Sequence, residues 1–355
     1  MEAESQASAI IPLALPKGAE KFCELCQREA RLQCSKCRVT FYCAAEHQQA
    51  DWVGIHKRIC QLLVPIRALP LRSLQQTSHT ETQIKKLIEI CRLVAQSKLS
   101  EGKHQEALPA AQLCLRCSID VHGPNTVQLV PAYLLLAEAN MGEKQAQNDF
   151  LSQAEWAVLK SPKCGLTIHH QLHRSLGRLH VATGDLDTAF YDFANDIYFA
   201  TEEYGLDSTV TSRGYFLMAD VFTKQGKIPT VRSLYSEVAR IWHSHLTRLL
   251  ETHIQTGVCF DQTCTHALDE MLRTMLEFEQ KDTRKDPARI AVVAHCLAML
   301  SFLGGDFLKV ITSSLFALKV TVLVNGSKIT KKKKKVLLTR LYNTETPINK
   351  LQLFL

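Results

Sequence analysis

The 355-residue sequence predicts a mainly α-helical protein, in which a small cysteine- and histidine-rich module precedes an α-solenoid of helical hairpins. Six of the 13 cysteines lie between Cys23 and Cys60. Beyond them, glycines that end apolar-periodic segments recur at intervals of 40 and 42 residues. Aromatic residues make up only 7% of the chain, with 15 glycines and 11 prolines, which argues against an all-β sandwich and a disordered chain.

Composition shifts along the chain predict five segments. Small, apolar and proline-interrupted residues come first, then the cysteine cluster, then a stretch with two prolines and a polar run. The repeating part follows, and a lysine-rich end closes the chain. We therefore expect a flexible lead over 1–20, a metal-binding finger over 21–62, a linker over 63–83, helical repeats over 84–319 and a basic, disordered tail over 320–355.

The net charge of +7 belongs to the tail. Residues 326–355 hold eight Lys or Arg and one acid, Glu345, which leaves the other 325 residues with 34 bases and 34 acids. A neutral body does not favour direct DNA binding or an anionic membrane as a partner. The first residues, MEAESQ, are acidic where a secretory signal would be basic, so we expect a cytoplasmic protein with reduced thiols.

The cysteine cluster contains four pairs of metal ligands. Two pairs are Cys-x2-Cys, at Cys23/Cys26 and Cys34/Cys37; the others are Cys43-x3-His47 and His56-x3-Cys60. Two intervening residues let both thiolates of a tight turn face one ion, and three place both ligands on one face of a helix. Eight ligands suffice for two closed, tetrahedral, structural Zn²⁺ sites, with either sequential or interleaved pairing. Closed sites leave no position for a catalytic water, and zinc binding would supply the folding energy of so small a module.

The line FYCAAEHQQADWVGIHKRIC, Phe41–Cys60, resembles the second half of a MYND zinc finger. The resemblance implies interleaved pairing, with the first and third ligand pairs on one ion and the second and fourth on the other. His47 departs from the family, which usually has Cys there. Carried over, the two ligand sets are Cys23, Cys26, Cys43 and His47 for the first zinc, and Cys34, Cys37, His56 and Cys60 for the second.

MYND fingers commonly bind extended proline-containing peptides of PxLxP type. Gln48 and Trp52 match positions that line this groove in the family. A Trp ring offers proline a flat apolar surface with a polar edge. The alternative is that Trp52 only packs the small zinc core.

Four short turn signatures recur around Gly102, Gly142, Gly184 and Gly226, each between two apolar-periodic segments. Small residues such as Ala107 follow each glycine where two helices would approach closely. This pattern predicts helical hairpins stacked as a solenoid, with a fifth at Arg289–Leu318 and a further helical pair over 240–286. It resembles the longer tetratricopeptide repeat of kinesin light chains, although the consensus Trp is absent.

Other candidates indicate no catalytic site. Cys114 and Cys117 fall inside a helical segment and are interpreted as core thiols, and the histidine groups at 169–173 and 243–245 as surface or inter-repeat residues. The sequence lacks GxGxxG, GxxxxGK[ST], HExxH and GxSxG motifs. The SMYD lysine methyltransferases also join a MYND finger to tetratricopeptide-like helices. They use an Asn-His pair that this sequence lacks, and only 22 residues precede Cys23, too few for the first half of a SET domain.

These features predict a non-enzymatic adaptor with protein partners, peptide or helical segments, and no small-molecule substrate. By resemblance to MYND proteins that help assemble ciliary dynein, we expect axonemal or dynein-assembly partners in the cytoplasm, a cilium or a flagellum. The alternative is a nuclear corepressor-type adaptor. A methyltransferase is the least favoured interpretation.

Overall fold

The computed structural model describes residues 7–9, 21–67, 74–161, 163–256, 265–281 and 286–306. The chain divides into two compact units, Met1–Leu179 and His180–Leu355. Both are mainly helical, as the sequence predicts. The predicted basic tail over 320–355 and most of the lead over 1–20 lie outside the described residues.

The first unit begins with a small zinc-finger-like module. Its sheet has three antiparallel strands in the order β1 (Ala7–Ala9), β2 (Leu32–Cys34) and β3 (Phe41–Tyr42). Helix α1 (Ala45–Asp51) follows and passes through a single π-helical turn, Trp52–His56, into α2 (Lys57–Arg67). A π-helical turn widens the helix locally and is often found at functional sites. The predicted zinc ligand His56 is the last residue of this turn.

Helical hairpins form the rest of the described chain. In the first unit, α3 packs on α4 and α5 on α6; in the second, α8 packs on α9, α9 on α10, and α12 on both α10 and α11. The segment between α4 and α5 includes a 3₁₀ turn at Val127–Leu129. The helices are α3 Leu74–Ser100, α4 His104–His122, α5 Val130–Ala139, α6 Lys144–Leu159, α7 Leu166–Thr183, α8 Leu186–Tyr204, α9 Thr209–Lys224, α10 Ile228–Thr256, α11 Thr265–Lys281 and α12 Pro287–Leu303.

The four recurring glycines lie in the turns between paired helices. All four have positive φ, from 73° at Gly226 to 120° at Gly142, a conformation that side chains with a Cβ rarely adopt. Of the small residues predicted to follow them, Ala107, Ala154 and Ala189 have no exposed surface, whereas Ala146 and Ala194 are half-buried. The glycine periodicity therefore identifies helix ends because it reports a backbone requirement.

The finger and the first hairpin share one hydrophobic core. Ile55, Ile59 and Leu63, from the π-helical turn and α2, pack with buried residues of α3 and α4, among them Leu87 and Cys91. A 40-residue module buries little apolar surface alone, and this shared core adds to what it buries. The finger is therefore an integral part of the first unit.

Two expectations differ from the structure in detail. Residues 63–83, expected as a linker, lie in α2 up to Arg67 and in α3 from Leu74, with 68–73 outside the described residues. Burial of apolar residues on both helices outweighs the local signal of Pro65 and the polar run.

The helical pair expected over 240–286 consists of the end of the 29-residue α10 together with α11. Only α12 of the expected fifth hairpin is described, ending before Gly305, which has positive φ.

Candidate metal centre

The structure brings the first and third ligand pairs together. The Cys43 Sγ lies 3.2 Å from the His47 Nδ1 and 3.5 Å from the Cys26 Sγ. The Cys23 Sγ lies 3.4 Å from the same His47 nitrogen. All four ligand atoms are within 4.8 Å of one another. His47, the one departure from the family pattern, therefore presents Nδ1 to the first site.

The second and fourth pairs form an equivalent group. The Cys34 Sγ lies 3.9 Å from the Cys60 Sγ, and the Cys37 Sγ lies 3.7 Å from the His56 Nε2. All four residues are buried, and their ligand atoms again lie within 4.8 Å of one another. The pairing is interleaved, so the sequential alternative that the spacing left open is wrong.

These distances fit zinc. Zn–S bonds of 2.3 Å and Zn–N bonds of 2.0 Å in a tetrahedron place two sulfurs about 3.8 Å apart and a sulfur and a nitrogen about 3.5 Å apart. Cys26 and Cys43 place their sulfurs 3.5 Å apart and Cys34 and Cys60 place theirs 3.9 Å apart, while three sulfur–nitrogen contacts are 3.2 to 3.7 Å and all ligand atoms of a group lie within 4.8 Å. Three thiolates and one imidazole per group, with no carboxylate or open position, are typical of structural zinc. The described residues therefore form two zinc-binding sites.

The two Cys-x2-Cys turns share a backbone conformation at the residue that follows the second cysteine. In each, the residue after the second cysteine, Gln27 or Arg38, has a φ near 60° and donates its backbone N–H to the carbonyl of the first cysteine at 3.0 Å. This closes the chain around the ligands, so that both thiols of a pair face the same point.

One thiol in each group has a raised pKa in the absence of a cation. Burial, together with the negative charge of Cys37 and Cys34, raises the pKa of Cys60 to about 12. Burial likewise raises the pKa of Cys43 to about 11, beside Cys26 and Cys23. Zn²⁺ binds the thiolate form, so an ion replaces repulsion among these thiolates with attraction and releases their protons.

A carboxylate behind the second site was not identified from the sequence. The Asp51 Oδ2 lies 3.6 Å from the His56 Nδ1, on the ring edge opposite the ligand atom, and accepts a hydrogen bond of 2.6 Å from the Tyr42 hydroxyl. Burial raises the pKa of Asp51, and its bond from Tyr42 opposes that rise. A carboxylate in this position orients a metal-bound histidine and selects its tautomer. In the sequence, the one indication of this carboxylate was the position of Asp51 directly before Trp52.

An acid inside the first ligand pair holds the finger to the helices. Glu24 accepts hydrogen bonds of 2.5 Å from Arg67 in α2 and 2.9 Å from Arg116 in α4. Its side chain is only 11% exposed, so these pairs are less screened than surface pairs. The first zinc site is thereby fixed relative to the first hairpin.

The two predicted groove residues differ in accessibility. Gln48 is buried, with 7% of its surface exposed. Trp52 is half-buried; its ring centroid lies 5.7 Å from that of His56, and the Lys36 ammonium lies 5.1 Å from the ring. Trp52 thus packs on the second zinc site and keeps part of its ring accessible. Peptide binding by these residues stays a prediction.

The cysteines of α4 are core residues. Cys114 and Cys117 are buried, and burial raises their pKa to about 12 and about 11 respectively, so neither is a reactive thiolate at neutral pH.

Among the helices that the structure describes, none has the length and apolar character needed to cross a membrane.

Comparison with known proteins agrees with this geometry. Residues 23–60 match the MYND finger family. This part of the chain is a MYND zinc finger. Human Egl nine homolog 1 is 52% identical over 42 residues, 12% of this chain and 10% of that protein. Mouse Programmed cell death protein 2 is 37% identical over 59 residues, 17% of each chain. These matches span at most about a sixth of the relatives' lengths.

Among solved structures, BtubC (BKLC) from P. vanneervenii is similar with a TM-score of 0.33 and 15% identity, covering 67% of this chain and 94% of that one. A MYND finger is a protein-interaction module, and in this chain it is joined to packed helical hairpins.

Proposed function

We propose that the protein is a non-enzymatic adaptor that binds protein segments through its MYND finger and its helical hairpins. The observation that carries this proposal is the assembly of all eight ligands into two closed groups, on a finger that shares its core with the first hairpin. Closed sites leave no coordination position for substrate or activated water. A finger fixed in this way presents its binding surface without an ordering cost on association.

The finger's ligand in this proposal is an extended, proline-containing segment of PxLxP type. Two features support it. Trp52 keeps part of its ring accessible beside the second zinc site. The second feature is the edge of β2 that faces away from β3, which can pair with an extended segment. Ala7–Ala9 of the same chain pairs there antiparallel, with Ser8 opposite Gln33. Strand addition of this kind supplies backbone hydrogen bonds, while side-chain pockets supply specificity.

A titration tests the peptide-binding part. A fluorescent PxLxP peptide is titrated with the full chain, with Trp52→Ala and with Trp156→Ala as matched control, since Trp156 is an exposed tryptophan of α6. We expect Trp52→Ala to weaken binding at least tenfold and Trp156→Ala to leave it unchanged. Equal affinities for all three proteins would refute the groove assignment. Both variants must retain two zinc ions, which separates loss of the groove from loss of the finger.

We place this adaptor in the cytoplasm, with axonemal or dynein-assembly proteins as partners in a cilium or flagellum. The neutral charge of the chain outside its last 30 residues supports this over a nuclear corepressor-type role. Imaging of a protein ending at residue 318 tests the choice, because it lacks the lysine-rich end. Nuclear enrichment of that truncated protein would contradict the cytoplasmic assignment. Measurable binding of S-adenosylmethionine would contradict the non-enzymatic one.

A further inference from the structure

The second unit contains a cavity of about 450 Å³ between α10, α11 and α12. Hydrocarbon forms most of its wall: Ala239, Met275 and Val293 line it and are almost fully buried. Its size falls within the range of small-ligand pockets, which combine apolar walls with a few polar groups.

A carboxylate oxygen in this wall lacks a hydrogen-bond partner among the described residues. Glu279 of α11 lines the cavity, and only 2% of its surface is exposed. Its Oε2 is buried and makes no hydrogen bond with any residue that the structure describes. Burial raises the pKa of Glu279, while the positive charges of Arg289 and Arg232 oppose that rise. A buried carboxylate oxygen without a hydrogen-bond partner is unfavourable, so it favours a ligand that donates to it.

The cations around the cavity already have carboxylate partners. Arg240 pairs with Glu237 at 2.6 Å and with Asp207. The Arg289 Nε pairs with Asp286 at 3.1 Å, although its buried Nη1 donates to no described residue.

The imidazole beside these cations adds no charge. His243 shares a 2.9 Å hydrogen bond with His295, and burial lowers the pKa of His243, so it is neutral at pH 7. The two arginines of the wall therefore have carboxylate partners, and Glu279 is the acidic residue of the wall, with the positive charge of Arg232 nearby.

We propose that this cavity binds an alkylammonium group, a hydrocarbon chain ending in a protonated amine, with Glu279 as its counter-ion. The chain fills the apolar part of the cavity, and the ammonium donates to the carboxylate. A lysine side chain of a bound protein and a free amine present the same chemistry, and the test distinguishes the two.

The test uses the full zinc-loaded chain and three probes of equal chain length: hexylammonium, hexanol and hexanoate. Their affinities are measured at pH 7 by ligand-observed NMR. A hydrogen bond to a charged group contributes about 1.5–3 kcal/mol, so we expect hexylammonium to bind at least about tenfold more tightly than hexanol. Equal binding of the two, or tighter binding of hexanoate through Arg289, would overturn the proposal. This comparison needs no variant.

Variants then locate the site. Glu279→Gln should reduce hexylammonium affinity about tenfold or more and leave hexanol unchanged, while Glu277→Gln, at an exposed glutamate of the same helix, should change neither. Unchanged hexylammonium binding by a folded Glu279→Gln would overturn the assignment. Competition by a lysine-containing peptide identifies a protein side chain as the source; failure of the peptide to compete, with hexylammonium bound, identifies a free amine.

Discussion

Gly54 lies directly against Pro109. A Cβ added to Gly54 would come within 2.7 Å of the Pro109 Cγ and 3.0 Å of the Glu106 carbonyl oxygen, closer than such atoms pack. Gly54 belongs to the π-helical turn beside the second zinc site, and Pro109 lies inside α4. Because Gly54 has no side chain, the π-helical turn packs closely on α4 here, and the neighbouring Ile55 is buried in the core shared with the first hairpin.

The first prediction concerns this contact. We expect Gly54→Ala to destabilise the first unit by about 1–3 kcal/mol, because the Cβ meets a proline ring and a backbone oxygen, neither of which can rotate away. Urea unfolding of the zinc-loaded chain measures the change. Gly165→Ala is the control, since nothing lies within 4 Å of a Cβ there. Equal stability of the two variants would contradict docking of the finger on α4.

The second prediction tests Asp51 as a positioning residue for His56. Asp51→Asn keeps the size of the side chain but removes the negative charge behind the imidazole. We expect it to weaken zinc binding at the second site by about 10–100-fold, while the first site is unchanged. Competition with a chromophoric chelator resolves the two ions. Glu46→Gln, at an exposed position of the same helix, should leave both affinities unchanged.

The third prediction concerns metal removal. Cys60→Ser should lower the zinc content from two equivalents to one and lower the melting temperature of the first unit, because α2 carries Ile59 and Leu63 into its core. Cys296→Ser, at a buried cysteine of the second unit, should keep both ions. Elemental analysis and calorimetry measure these effects.

The same cysteine predicts a pH dependence of zinc binding. Since Cys60 has a raised pKa without metal, zinc binding releases protons and zinc affinity should fall as the pH falls.

The sequence predicted the metal ligands and the helix ends because each depends on a local requirement. Ligand spacing is set by tight turns and helical periodicity, and the positive φ of Gly102 is a property of one residue. It did not predict the contacts between elements distant in sequence. Glu24 meets Arg116 only after the finger docks, and the helix through Pro65 reflects burial of α2 against α3 and α4. Tertiary packing overrides local propensity there.

The fourth prediction follows from strand β1 and rests on the proposed peptide binding. If a partner peptide adds to the β2 edge, Ala7–Ala9 competes with it for the same backbone groups. Ser8→Pro removes a backbone N–H and should release the edge, so that the PxLxP peptide binds several-fold more tightly. Ser8→Ala keeps the N–H and should bind as the unmodified chain does. Fluorescence anisotropy measures both, and weaker binding by Ser8→Pro would exclude competition at this edge.

The fifth prediction concerns His295 in the second unit. Burial, with a smaller contribution from the neighbouring His243, lowers its pKa to about 4, whereas in the unfolded chain it titrates near 6.5. Between these values the unfolded chain binds the extra proton, so stability is retained above pH 6.5 and lost as the pH falls toward 4. Between pH 7 and pH 5, we expect His295 to account for roughly 2 kcal/mol of lost stability. In urea unfolding at pH 7 and pH 5, His295→Gln should therefore lose less stability than the unmodified chain.

His266→Gln, at an exposed histidine of α11, is the control and should keep the full pH dependence. The finger also releases zinc in acid, so the informative quantity is the difference between these two variants; identical pH dependence in both would show that His295 is not the titrating group.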